Sequence, residues 1–137
     1  MKRARKPHPL LVGYGNRLRG DDAVGPYVAA KLRGMAVHQL VPELAEQVAG
    51  HPSVVFIDAR RDLEPGAVEI LPLDTASIMT HSCTPGYLLR LARVVYGRAP
   101  KAWMVGIGGE SFELGAPLSD AARLGARRAM ARIRGLR

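Results

Sequence analysis

Four consecutive apolar residues, Val54-Val55-Phe56-Ile57, run straight into an aspartate, Asp58. A half-exposed strand alternates apolar and polar residues; a strand with no polar break is covered on both faces. Such a run belongs in the middle of a sheet with helices on either side, and the rest of the chain supplies both parts. Leu10-Leu11-Val12 is a second buried run, stopping at the turn Gly13-Tyr14-Gly15. Trp103–Ile107 is another, before Gly108-Gly109. Met35–Val41 reads as a further strand. Ala67–Leu73, with Glu69 among apolar neighbours, reads as a strand in an exposed or edge position.

Helical patterns lie between these runs. From Asp22 to a stop at Gly34, the residues Val24, Tyr27, Val28 and Leu32 recur at helical spacing, with Pro26 tolerated in the first turn. Pro42–Ala49 is a short helix closed by Gly50. Thr84-Pro85 supplies an N-cap and first-turn pair for a helix through Leu88, Leu91, Ala92 and Val95 to Gly97. Ser119 caps a last helix whose stripe is Ala122, Ala126, Ala129 and Ile133. Alternating strands and helices predict one domain over 1–137, with 1–8 a flexible basic tail. Its architecture is expected to be a three-layer α/β/α sandwich around a mostly parallel, twisted sheet of about five strands.

Composition bounds the function classes. With 137 residues, 47% of them hydrophobic and one cysteine, the chain needs neither disulfides nor a structural metal to hold a core. No apolar run approaches the ~20 residues of a membrane span. The basic start Met1–Lys6 is followed by Pro7, His8 and Pro9 and only a short apolar stretch, so no signal peptide is expected and the setting is taken as cytoplasmic. The net charge of +8 invites a nucleic-acid reading, but half of the 20 basic residues lie in residues 1–6 and 121–137. The segment 7–120 holds the other ten together with all 12 acids. A near-neutral body with cationic ends argues against nucleic acid as partner.

In α/β folds ligands sit beyond the carboxyl ends of the parallel strands. The turn Gly13-Tyr14-Gly15-Asn16 follows the first strand, but it is no dinucleotide fingerprint: Leu18 stands where the third glycine belongs. Asp21 and Asp22 would also place like charge beside the phosphates. Of those two acids one is expected to cap the helix, leaving the other for chemistry. Asp58 ends a fully apolar strand, with Arg60 or Arg61 as possible partners. His81 lies in a polar loop, and Cys83 beside it invites a thiol-nucleophile reading that a spacing of two in a loop does not favour. His8, His38 and His51 carry no comparable context. Asp22, Asp58 and His81 make a mixed oxygen and nitrogen set with open positions, suited to a first-row divalent ion.

At these residues the chain resembles the hydrogenase maturation endopeptidases, which process the large subunit of [NiFe]-hydrogenases. Gly13-Tyr14-Gly15-Asn16-Arg17-Leu18-Arg19-Gly20-Asp21-Asp22-Ala23-Val24-Gly25 is similar to the family's GxGNxLxxDDxxG opening. Val55-Phe56-Ile57-Asp58-Ala59 and Thr80-His81-Ser82 follow, and Val105-Gly106-Ile107-Gly108-Gly109-Glu110-Ser111-Phe112-Glu113-Leu114-Gly115 resembles the closing signature. The resemblance spans about residues 10–120 and implies a peptidase that removes a C-terminal extension from the large-subunit precursor after nickel insertion. It assigns Asp22, Asp58 and His81 both to nickel and to catalysis, and it implies nickel supplied by the substrate, with no nucleotide cofactor. Gly13, Gly15 and Asn16 are expected along the path of the substrate backbone, Asn16 as a donor to the scissile carbonyl. The partner implied is the precursor in a transient complex, with no nucleic acid, no membrane and a free monomer. Two other readings stand beside this one: a nickel-checking module that binds the precursor without cutting, and a metal-dependent peptidase or amidase for another protein.

Overall fold

The computed structural model describes residues 8–74 and 83–136. Five strands form one sheet: β1 (Leu10–Tyr14), β2 (Met35–Val37), β3 (Ser53–Arg60), β4 (Val68–Leu73) and β5 (Lys101–Gly108). Their order is β2-β1-β3-β5-β4, with β1, β2, β3 and β5 parallel and β4 antiparallel to β5 at the edge. The continuously apolar run therefore lies on the central strand, and the strand containing Glu69 lies on an edge. Among the described residues four α-helices accompany the sheet: α1 (Val24–Lys31), α2 (Leu44–Ala49), α3 (Pro85–Tyr96) and α4 (Asp120–Ile133).

Two apolar clusters sit on opposite faces of the sheet. Val12, Val54 and Phe56 pack with Leu44, Val48, Leu88 and Leu89 from α2 and α3. Val55, Ile57, Val105 and Ile107 pack with Val24 and Val28 from α1 and with Ala122, Ala126 and Ala129 from α4. Adjacent residues of β3 thus feed different cores, so no position in Val54–Ile57 could be polar. The three-layer sandwich expected from the sequence is the observed fold.

Caps behave as the sequence indicates at two helices. The Thr84 hydroxyl accepts from the Tyr87 N–H at 3.1 Å, and α3 ends on Gly97 at φ 76°. The Ser119 hydroxyl accepts from the Ala122 N–H at 3.0 Å. Elsewhere the boundaries differ from expectation. β1 continues through Gly13 and Tyr14, because both pair with β2. β3 continues past Asp58 to Arg60, because β5 pairs with it along its whole length. The second strand stops at Val37 instead of reaching Val41, since its pairing with β1 ends there. Asp21 and Asp22 lie in a 3₁₀ turn, Gly20–Ala23, ahead of α1, and neither of the two helical segments has a side-chain cap. The expectation that one of the acids caps the helix is therefore corrected.

Candidate active site

The site is built where β1 and β3 part company. β1 pairs with β3 only as far as Gly13 opposite Ile57, while β3 runs on beside β5. Asp58 is the first residue of β3 beyond the β1 pairing. With a side-chain period of two, Asp58 continues the face of Phe56 and Tyr14 continues the face of Val12. Two core residues in register thus become, one step further along each strand, a carboxylate and a phenol. The Tyr14 hydroxyl donates to the Asp58 carboxylate; Tyr14 also approaches the Met104 sulfur at 3.9 Å.

Asp22 reaches the same place from the other side of the turn. The backbone N–H of Asn16 donates to Asp22 Oδ2 at 2.6 Å, tying the end of the glycine turn to the acid six residues on. Asn16 Oδ1 accepts from the Leu18 N–H at 2.9 Å, so its side-chain oxygen closes a local turn. Close backbone approach makes this arrangement possible. A Cβ at Gly13 would stand 2.0 Å from the Gly25 carbonyl oxygen, and one at Gly15, where φ is +151°, would stand 2.0 Å from that of Asp22. The glycines of the opening motif let β1 and the start of α1 touch, and this contact brings Asp22 to the end of the sheet.

Asp58 titrates at about 6, well above an ordinary aspartate. Burial is the main cause and the charge of Asp22 the second, opposed by the Ala59 backbone, the Tyr14 hydroxyl and Arg60. The Asp22 side chain is close enough to disfavour ionisation of Asp58. Burial, and then the Asp58 carboxylate, drives the Tyr14 hydroxyl far above its normal range, so it stays a proton donor.

Asp21, beside Asp22 in sequence, does different work. It is fully buried and accepts hydrogen bonds from the N–H groups of Glu110 (2.7 Å), Ser111 (3.2 Å) and Ser119 (2.7 Å) and from the Ser119 hydroxyl (2.7 Å). Burial alone would raise its pKa, but these donors outweigh it and hold the carboxyl below its usual value. Asp21 therefore fastens the loop after β5 and the start of α4 to the 3₁₀ turn.

Neither arginine suggested as a partner for Asp58 forms an ion pair with it. Arg60 pairs with Asp62 and, at 3.1 Å, with Glu69, its stem lying over Gly106. The guanidinium of Arg61 stacks on Phe112, 3.9 Å from the ring centre. Cys83 is partly buried against the α2/α3 core, and burial, then Glu43, pushes its thiol up, away from a reactive thiolate. His51 is buried and bonds the Gln47 carbonyl at 2.7 Å. His8 is exposed, its ring 5.8 Å from that of His51, and His38 is exposed on the stretch after β2. His81, the third member of the expected set, lies outside the described residues. Among the described residues no three His, Cys, Asp or Glu side chains assemble into a metal site.

Tyr14 is the residue that reading the sequence left unassigned. Its signal was available: aligning Leu10–Val12 with Val54–Phe56 places Tyr14 beside Asp58. That alignment depends on a strand register that only pairing reveals.

No protein-family model and no curated protein matches this sequence. Solved structures do. The [NiFe] hydrogenase maturation protease HybD from Thermococcus kodakarensis is 25% identical, with a TM-score of 0.74 over 93% of this chain and 97% of that one. The [NiFe] hydrogenase maturation protease HycI from Thermococcus kodakarensis KOD1 shares the fold at 24% identity and a TM-score of 0.72, over 92% of this chain and 89% of that one. The hydrogenase maturating endopeptidase HybD from E. coli does so at 23% and 0.64, again over 92% and 89%. The fold is shared over nearly the full length of both chains in each case, so in structure this chain is similar to [NiFe] hydrogenase maturation proteases.

Proposed function

We propose that this protein cuts the C-terminal extension from a [NiFe]-hydrogenase large-subunit precursor after nickel has been inserted, and that Asp22, Asp58 and His81 face the nickel carried by that substrate. The observation that carries the reading is the meeting of Asp22 and Asp58 at the carboxyl end of the sheet, with Asp58 held near a pKa of about 6. Two carboxylates offer too few donors to retain a first-row ion tightly, which suits recognition of a metal whose other ligands belong to the substrate. A carboxylate that ionises near neutrality can accept a proton from water as the water oxygen attacks the scissile carbonyl. The same proton then goes to the leaving amine, so hydrolysis balances with one water consumed. Tyr14 holds Asp58 in place by its hydrogen bond. The backbone of Gly13, Gly15 and Asn16 borders the approach, and the Asn16 amide nitrogen is the donor assigned to the carbonyl oxygen.

The test is to incubate the protein with nickel-loaded and nickel-free precursor and weigh the products by mass spectrometry. Loss of a C-terminal peptide from the loaded form alone is the expected result. Equal masses in both forms would sink the proposal, and tight binding without any cut would favour a nickel-checking module. Asp58→Ala and His81→Ala should abolish cleavage. Cys83→Ser should leave it unchanged, since the thiol is held protonated.

A further inference from the structure

Leu18 is the one apolar side chain of the segment Asn16–Gly20, and it is 68% exposed. It is not loose. The Leu18 N–H is taken by Asn16 Oδ1, the Arg19 N–H donates to the Asn16 carbonyl at 3.1 Å, and the Leu18 carbonyl accepts from the Gly115 N–H at 2.7 Å. That last bond joins the turn to the loop carrying Leu114, which is 67% exposed. Two leucines on adjoining, hydrogen-bonded loops are thus presented to solvent at the end of the sheet that holds Asp22. Arg17 and Arg19 flank Leu18, both exposed, and no ion pair or side-chain hydrogen bond engages either guanidinium among the described residues. The acids nearby in sequence, Glu110 and Glu113, are exposed on the second loop.

Scattered surface leucines need no explanation, but a rigid pair beside a reactive site does. An apolar anchor whose backbone is already fixed loses little entropy on association, which is the property of interface hot spots. Two unpaired cations on either side of that anchor select for a partner with acidic groups around an apolar depression.

We propose that the Arg17-Leu18-Arg19 turn, with Leu114 beside it, is the docking surface for an acidic patch with an apolar centre on the folded large-subunit precursor. This inference rests on the proposed function, because it takes the precursor as the partner. Asn16 links the surface to the site: its side chain closes the docking turn while its backbone N–H holds Asp22. Seating the precursor on Leu18 thereby fixes the scissile segment relative to the carboxylates.

The experiment measures cleavage of nickel-loaded precursor over a range of substrate concentrations, at low and high salt. It compares wild type, Leu18→Ala, the double variant Arg17→Glu/Arg19→Glu, and Val95→Ala on the exposed face of α3 as control. Leu18→Ala should raise KM about tenfold with kcat at saturation and melting temperature unchanged. The double variant should raise KM more and lose most of the salt dependence seen in wild type. Unchanged KM in both, with active wild type, overturns the docking surface and leaves the proposed function standing. An equal rise in KM for Val95→Ala also overturns it. Sedimentation showing a wild-type dimer that Leu18→Ala dissociates would assign the patch to a second copy of this chain and overturn the proposal. A wild type that neither binds nor cuts the precursor overturns both readings.

Discussion

The adjacent aspartates Asp21 and Asp22 show how little a residue's type says about its task. Asp21 accepts four hydrogen bonds and holds a loop, whereas Asp22 takes one backbone N–H and faces Asp58. Asp58 itself carries a cost. Its pKa is raised from 3.8 to about 6, so the fold favours its protonated form. The contribution is favourable at low pH and is lost as pH rises through about 6, amounting at neutral pH to at most about 3 kcal/mol, less any solvent screening. Asp58→Asn should therefore stabilise the metal-free protein, with a gain in denaturation midpoint that grows from about pH 4 to about pH 7. It should also abolish cleavage. A midpoint difference that is flat with pH would show that Asp58 is not held out of its normal range.

Among the elements, the loop from Gly109 to Ser119 contains neither helix nor strand, yet it is fixed. Its anchors are Asp21 at one end and the α4 cap at the other, and both use Ser119. Asp21→Ala would leave three backbone N–H groups without their acceptor in a buried place. It should cost on the order of 3–5 kcal/mol, measured by urea denaturation. Because the Asp21 carboxyl is held below its usual pKa, its contribution is present above the unfolded value and lost as pH falls through the lower folded one. Wild type should thus be more acid-sensitive than the variant below about pH 4, the gap between the two closing as Asp21 is protonated. A gap that persisted unchanged in acid would rule out the charged network. Helix α4 adds a second tie to the edge: Arg128 donates to the Gly66 carbonyl at 3.2 Å and Arg132 to the Val68 carbonyl at 3.3 Å. Part of the C-terminal arginine cluster that contributes to the net charge of +8 is bonded to the protein's own backbone.

For the whole molecule, the site is a product of how closely α1 lies against the sheet. A Cβ at Gly25 would stand 2.4 Å from the Ile57 carbonyl oxygen and 2.8 Å from that of Tyr14. Gly25→Ala should therefore push α1 away from the gap between β1 and β3, at a cost of about 1–3 kcal/mol. It should also lower kcat more than it raises KM, because a displacement of about 1 Å at the reacting groups is enough to cost orders of magnitude in rate. Denaturation and cleavage kinetics on the same variant check both; full kcat in a destabilised protein would separate the helix seat from the site.

The sequence by itself determined the layers. A four-residue apolar run cannot face water on either side, and Gly, Pro, Ser and Thr at element ends set the caps and stops through local chemistry alone. It also determined the candidates Asp22 and Asp58, since acids directly after buried strands or at the start of a helix are visible without a fold. Only the tertiary structure decided which acid does what. Asp21 and Asp22 have identical local signals, and what separates them is the loop about 90 residues away that supplies Asp21 with donors. The same holds for Tyr14, whose role follows from the register between β1 and β3, and for Leu18, whose exposure follows from the loop beside it. Hydropathy and caps act through neighbours in sequence, whereas the pKa of Asp58 and the exposure of Leu18 arise from neighbours in space.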